Sequence, residues 1–313
     1  MGQTIEYAHK VRLCDALYGT KFVLHRNSSN LEITIPPKIK DGTRVKLTNA
    51  LNITDNSPGD IIIQIQIEPR PVISLAKGTN IDNIFQYCLY AVGGLDNDHV
   101  NGYLSSKNNK ISRQLFFEKA VSAIWVAGWG QKQCNTFLSR AVKNGFTWDF
   151  SIMGQWSDSQ LIQFMQRMHG QLVRPRAVKK WNAVHKVGQW LNSFQGEDDF
   201  RRVVFKDVLE AKHLGKNDVS TLRSLKLPFI GEANSFYIIR MLGGEEIKDD
   251  VWIKEFRAWA SLDLNTLEGL LATHNIPRGF FDIVTWEYCN MFIKKVNALK
   301  PHLVSQFGFF VSN

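Results

Sequence analysis

Residues 59–69, GDIIIQIQIEP, limit the possible folds more than any other stretch. Ile61, Ile63, Ile65 and Ile67 fall on one side of an extended chain, and Gln64, Gln66 and Glu68 on the other. A period of two held this long specifies a strand with one face in a core, because a helix would scatter these isoleucines around its axis. LEITI at 31–35 and TRVKL at 43–47 predict two further strands. Pro36 and Pro37 forbid a central helix between them, and Asp41-Gly42 is a tight-turn dipeptide. Residues 1–75 therefore predict a small all-β unit, a sandwich or a sheet.

After the stretch 68–80, EPRPVISLAKGTN, which reads as a linker, the period becomes helical. Leu115, Phe116, Ala120, Ile124 and Ala127 share roughly one face, as do Ala177, Trp181, Val184 and Leu191. Further helices are expected near 199–212, 217–225, 232–242, 250–260, 264–273 and 279–297. Gly243-Gly244 is a natural helix end and Pro277 a break. The predicted architecture is multidomain, with a small all-β domain at 1–75 followed by an all-α domain at 76–313. No internal repeat or low-complexity tract interrupts it.

At 313 residues the chain is long enough for two domains. A net charge of +9 favours an anionic partner. No apolar run is long enough to span a bilayer and no signal-peptide core follows Met1, so no membrane partner and a cytoplasmic (if bacterial, nucleoid-associated) location are expected. Cys14, Cys88, Cys134 and Cys289 are far apart, with no C-x-x-C pair and no histidines at ligand spacing. A zinc or iron–sulfur site and a disulfide framework are therefore not expected, and these cysteines read as small buried hydrophobes.

The N-terminal pattern IPPKIKDGTRVKL, then PGD, then alternating isoleucines ending in EPRP, resembles the C-terminal substrate-binding β-domain of J-proteins over about residues 5–75. YAHKVRLCDALYGTKFVL at 7–24 fits the first strand and turn of that family. No HPD tripeptide and no cysteine-rich zinc module are present. The resemblance implies a protein- or peptide-docking unit without stimulation of a heat-shock ATPase; a folded appendage or a self-association element is the alternative. Lys38 stands where the family has Gly.

LPFIGEANSFYIIRMLGGEEIKDDVWIKEF at 227–256 raises a different possibility. Gly231 lets the backbone come close to a phosphate, and the helix starting near Glu232 presents free N–H groups there. A unit of this kind grips DNA without reading sequence. The stretch resembles the helix-hairpin-helix DNA glycosylase superfamily, in which L-P-(G/F)-(I/V)-G precedes a helix and then an Asp opening the next helix. The resemblance extends over roughly 110–300 and includes FFDIVTWEYC at 280–289, the loop-bearing EKAVSAIWVAGWGQKQCNTFL, and the basic RPRAVKKWNAV.

That resemblance implies a double-stranded DNA partner and a catalytic carboxylate at Asp250. It places Leu227, Phe229, Gly231 and Ala233 against the DNA backbone. Trp129, Gln131 and Gln133 become candidates for the wedge and pocket, and Trp125 and Trp252 for pocket walls. No cofactor is implied beyond a monovalent cation, which such hairpins can hold. Ala233 occupies the position of the Schiff-base Lys of bifunctional members, so a monofunctional hydrolase is expected. Phe229 replaces a Gly of many members, Glu232 puts a carboxylate where a phosphate would approach, and the four-Cys cluster of one branch is absent.

The chemistry suits a carboxylate. Cleaving an N-glycosidic bond leaves positive charge on the sugar, and a carboxylate stabilises it and orients water, once the base is flipped out. Asp250 is equally suited to capping the helix that follows, as is Asp249, and Trp125 and Trp252 to core packing. Arg174, Arg176, Lys179 and Lys180 lie in a stretch with no acid between Asp158 and Glu197 and are candidate phosphate contacts, or a solvated helix face. A non-catalytic DNA binder and a chaperone-related adaptor are the alternatives to a glycosylase.

Overall fold

A computed structural model describes residues 3–27, 29–69, 80–126, 131–171, 173–248, 251–260, 262–289 and 291. The chain divides into two compact units: Met1–Leu104 with Val251–Asn313, and Ser105–Asp250. Contacts thus divide the chain differently from its periodicity, since the first unit joins the β region to helices from both ends of the helical sequence.

The β region runs β1 (Gln3–Val11), α1 (Leu13–Tyr18), β2 (Thr20–Arg26), β3 (Ser29–Ile35), β4 (Arg44–Leu47), α2 (Ala50–Asp55) and β5 (Gly59–Ile67). One sheet has the order β1-β5-β4, with β1 parallel and β4 antiparallel to β5; β2 and β3 form a separate antiparallel pair. Ile61, Ile63 and Ile65 are fully buried against Ile33, Ile35 and Leu51, while Gln64 and Gln66 are exposed. Each such isoleucine contributes about 1.5–3 kcal/mol by leaving water. The alternation is cleanest on β5 because β5 is the middle strand.

The same unit contains α3 (Ile81–Ala91), most of α4 (Asp98–Ser106), which spans the border, and, later in the sequence, helices Val251–Ala260, Leu264–Thr273 and Arg278–Tyr288. Helix α1 ties the strands to these helices. Arg12, just before α1, pairs with Asp15 at 2.7 Å and Asp82 at 2.9 Å and donates to the His274 carbonyl at 3.0 Å. The Gln86 amide donates to Cys14 Sγ at 2.7 Å and accepts from the Cys14 N–H at 3.2 Å. Tyr18 meets Phe280, which also packs edge-on against Phe85.

The second unit contains α5 (Arg113–Val126), α6 (Gln131–Lys143), α7 (Phe150–Gln155), α8 (Asp158–His169), α9 (Pro175–Asn192), α10 (Glu197–Phe205), α11 (Lys216–Ser224) and α12 (Glu232–Leu242). In chain order the three later helices of the first unit are α13, α14 and α15. Helix α9 packs on α5, α7 and α8. Gly154 and Gly188 let α7 and α9 touch, since a Cβ on Gly154 would lie 2.5 Å from the Gly188 carbonyl carbon. Trp125, Phe137, Phe164 and Trp181 form an aromatic centre, with Trp125 and Trp181 centroids 4.8 Å apart. The helix expected at 199–212 stops at Phe205, because Lys206 and Asp207 both take left-handed backbone, with φ of 49° and 65°. The predicted ends at Gly243 and Pro277 are present, and Gly243 takes φ of 110°.

The four cysteines are buried, as expected of small hydrophobes. Among the described residues no helix is long and apolar enough to cross a membrane, and no group of three or more His, Cys, Asp or Glu could hold a metal ion.

Candidate nucleic-acid interface

LPFIG joins α11 to α12, and its backbone explains its residues. Asp218 accepts from the Gly215 N–H at 2.8 Å and fixes the start of α11. Lys226 and Phe229 are left-handed, with φ of 50° and 62°, and the Ile230 N–H closes the turn on the Leu227 carbonyl at 3.0 Å. Phe229 therefore holds the conformation that a Gly would take freely, at a cost of about 1–2 kcal/mol. Asn234 supports it by donating Nδ2 to the Phe229 carbonyl at 2.5 Å. A monovalent cation at the turn would have to share the Leu227 and Phe229 carbonyls with these donors.

Gly231 is the N-cap of α12, with φ of −86° and no side-chain cap. A Cβ there would meet nothing within 4 Å, so neither backbone strain nor packing within this chain requires a glycine. The first helical bond runs from the Ser235 N–H to the Gly231 carbonyl, leaving the N–H groups of Glu232, Ala233 and Asn234 without intrahelical acceptors. Gly231, Glu232 and Ala233 are exposed. Glu232 turns toward Arg223 of α11, 3.5 Å away, so the carboxylate at the helix mouth is offset by a cation from the same hairpin. Lys226 is exposed on the turn itself.

On α9, Arg174, Arg176 and Lys179 are exposed around its N-terminal turn. Lys180 corrects the expectation of a fourth phosphate contact, being 2% exposed. Its ammonium donates to the Trp125 carbonyl at 3.1 Å and lies 5.0 Å from the Trp125 ring centroid. Burial, then the charge of Arg176, pushes its pKa down to about 8. The sequence held a usable signal, since Lys180 sits three residues after Ala177 and four before Val184, on the apolar stripe.

Trp125, a predicted pocket wall, is 1% exposed and packed among Phe137 and Trp181, so it is part of the core. Gln133 is exposed on α6. Trp129 and Asp250 lie outside the described residues, as does the side chain of Gln131; α13 begins at Val251, directly after Asp250. Trp252 is half-buried in α13 and belongs to the first unit, whereas the hairpin and α9 belong to the second. Helices α9 and α12 both pack on α5.

Lys38, the β region's replacement for a family Gly, is also left-handed, with φ of 63°. Lys38 and Phe229 thus both hold the backbone that favours glycine. Phe229→Gly and Lys38→Gly are each expected to raise stability by about 0.5–1 kcal/mol in denaturant unfolding, strain relief exceeding the added chain entropy. A loss above about 1 kcal/mol would show that side-chain packing outweighs the strain.

Comparison with known proteins gives one family match. Residues 5–87 match the DnaJ C terminal domain. The match begins inside β1, takes in β2–β5 and continues into α3. No curated protein and no solved structure matches the chain.

Proposed function

We propose that this protein binds duplex DNA through the α11–α12 hairpin and the exposed cations of α9, and hydrolyses the N-glycosidic bond of a flipped damaged or modified base. The observation that carries the DNA-binding reading is Gly231, a glycine that neither backbone strain nor packing requires, at the mouth of a helix whose first N–H groups lack intrahelical acceptors. A phosphate accounts for it: the missing Cβ allows close approach, and the donors and helix dipole favour the anion. Arg223 and Lys226 add positive charge, and Arg174, Arg176 and Lys179 supply further phosphate contacts.

Asp250 would stabilise the developing oxocarbenium ion and orient the attacking water. Ala233 leaves no amine at its position for a Schiff base, in keeping with simple hydrolysis. A second reading rests on the match at residues 5–87, which favours a protein or peptide partner at the β region; it is compatible with the first.

The test is to incubate the protein with genomic DNA that has been alkylated, oxidised or deaminated and to identify released bases by mass spectrometry. Release establishes the hydrolase and its substrate class. Absence of release with salt-sensitive DNA binding leaves a non-catalytic binder. Gly231→Ala isolates the hairpin: the added Cβ meets nothing, so stability should fall by no more than about 1 kcal/mol, the cost of a poorer N-cap, while DNA affinity falls about tenfold through one obstructed phosphate contact. Unchanged affinity would remove the hairpin from the interface.

A further inference from the structure

An open cleft of about 850 Å³ lies between α5 and α6 in the second unit, lined by neither the hairpin nor α9. Its volume is within the range of small-ligand sites, about 300–1,000 Å³. Leu138 and Val142 are four residues apart on α6, as are Ser139 and Lys143, so one face of that helix brings all four to the cleft. Leu138 is buried, whereas Val142 is 44% exposed. Glu118 and Lys119 of α5 and the half-buried Trp148 also line the cleft.

The cleft is held in shape by Gln114 of α5. Its Nε2 donates to the Trp148 carbonyl at 2.7 Å and to Glu118 Oε1 at 3.0 Å, and its Oε1 accepts from the Phe150 N–H at 3.4 Å. Phe146 braces the Trp148 ring edge-on, with centroids 5.2 Å apart. Positive charge is left over. No acid stands between Glu118 and Asp149 in the sequence, and Asp149 is engaged in capping α7 through the Ser151 and Ile152 N–H groups. Among the described residues neither Lys119 nor Lys143 has an ion-pair partner. Two cations against the single carboxylate of Glu118 favour an anionic ligand. Trp148 and the exposed Val142 favour a flat apolar body beside that charge.

We propose that this cleft binds a nucleoside monophosphate, with its phosphate at Lys119 and Lys143 and its base against Trp148 and Val142. Lysine ammonium groups bind phosphate as point charges, and every base has a flat face that an aromatic wall accepts. The second oxygen of Glu118 accepts from an exocyclic amine, which favours adenine or cytosine over a base without one. Ser139, exposed beside Lys143, adds a hydroxyl for the sugar or phosphate. A phosphate without a base would leave Trp148 and Val142 in water, and a nucleoside without a phosphate would leave both lysines unmatched. The site does not rest on the DNA-binding reading above.

Calorimetric titration of the full chain with adenosine 5′-monophosphate tests the site, with adenosine and ribose 5-phosphate as comparators. The expected result is one site with a Kd below about 1 mM, and binding of each comparator at least about tenfold weaker. The double variant Lys119→Met with Lys143→Met, and separately Val142→Glu, should each weaken the nucleotide at least about tenfold. Both should melt at the wild-type temperature, because the lysines are not ion-paired and Val142 is exposed. No binding at about 5 mM nucleotide overturns the proposal. Ribose 5-phosphate binding as tightly as the nucleotide overturns the base contact and leaves an anion site only, and adenosine binding as tightly overturns the role of the lysines. Nucleotide binding that survives both variants lies elsewhere on the chain and also overturns it. Duplex affinity in the lysine variant should change less than about threefold at fixed salt; a loss above about tenfold assigns the cleft to a DNA backbone instead.

Discussion

Arg12→Ala is expected to destabilise the first unit by about 3 kcal/mol, measured as a loss of unfolding free energy in denaturant. Arg12 neutralises Asp15 and Asp82 and satisfies the His274 carbonyl, reaching from the end of β1 to α3 and the end of α14. Truncation leaves two carboxylates side by side with side chains only 19% and 15% exposed. Partial exposure places the loss at the low end for a broken buried pair. The hydrogen bond to Asp15, the largest influence on Arg12, raises its guanidinium pKa, so the contribution persists at alkaline pH. The same geometry predicts that a fragment lacking residues 1–75 leaves α3 and α15 with exposed apolar surface. A loss below about 1 kcal/mol in Arg12→Ala would mean that apolar contact and the Gln86–Cys14 hydrogen bonds, rather than Arg12, join the β region to these helices.

Asp250→Asn is expected to reduce base release on the order of 10³-fold, about 4 kcal/mol of transition-state stabilisation. The amide keeps the size of the carboxylate but cannot balance a developing sugar cation or accept a proton from water. DNA affinity should stay within about threefold, because removing one negative charge does not weaken attraction to phosphate. Asn is also a good helix N-cap, so a capping role before Val251 survives the change and predicts full activity. Single-turnover release with saturating enzyme separates these outcomes, since it reports the chemical step rather than binding.

The two resemblances were unequally legible. The J-protein-like pattern rests on turn residues and a period-two strand, which are local features, and the family match at 5–87 agrees with it. The LPFIG turn was legible as a turn, and Phe229 in it takes the left-handed backbone that favours glycine. The basic stretch on α9 misled in one residue. Lys179 and Lys180 are neighbours in sequence, but a helix turns about 100° per residue, putting Lys179 in solvent and Lys180 in the core. Counting charges found the basic stretch, and only the apolar period of α9 distinguishes its two faces.

The sequence by itself determined the strand over 61–67, the helical nature of the region beyond 80, the ends at Gly243 and Pro277, and the turn between α11 and α12. Each depends on neighbours within a few residues, through side-chain period or a backbone preference for left-handed φ. Tertiary structure alone decided that β5 lies between β1 and β4, that helices from the far end of the chain join the β region in one unit, and that Lys180 bonds to Trp125. These depend on partners distant in sequence, as Arg12 shows by reaching His274, and no local pattern encodes which distant group will satisfy a buried charge or an open helix end.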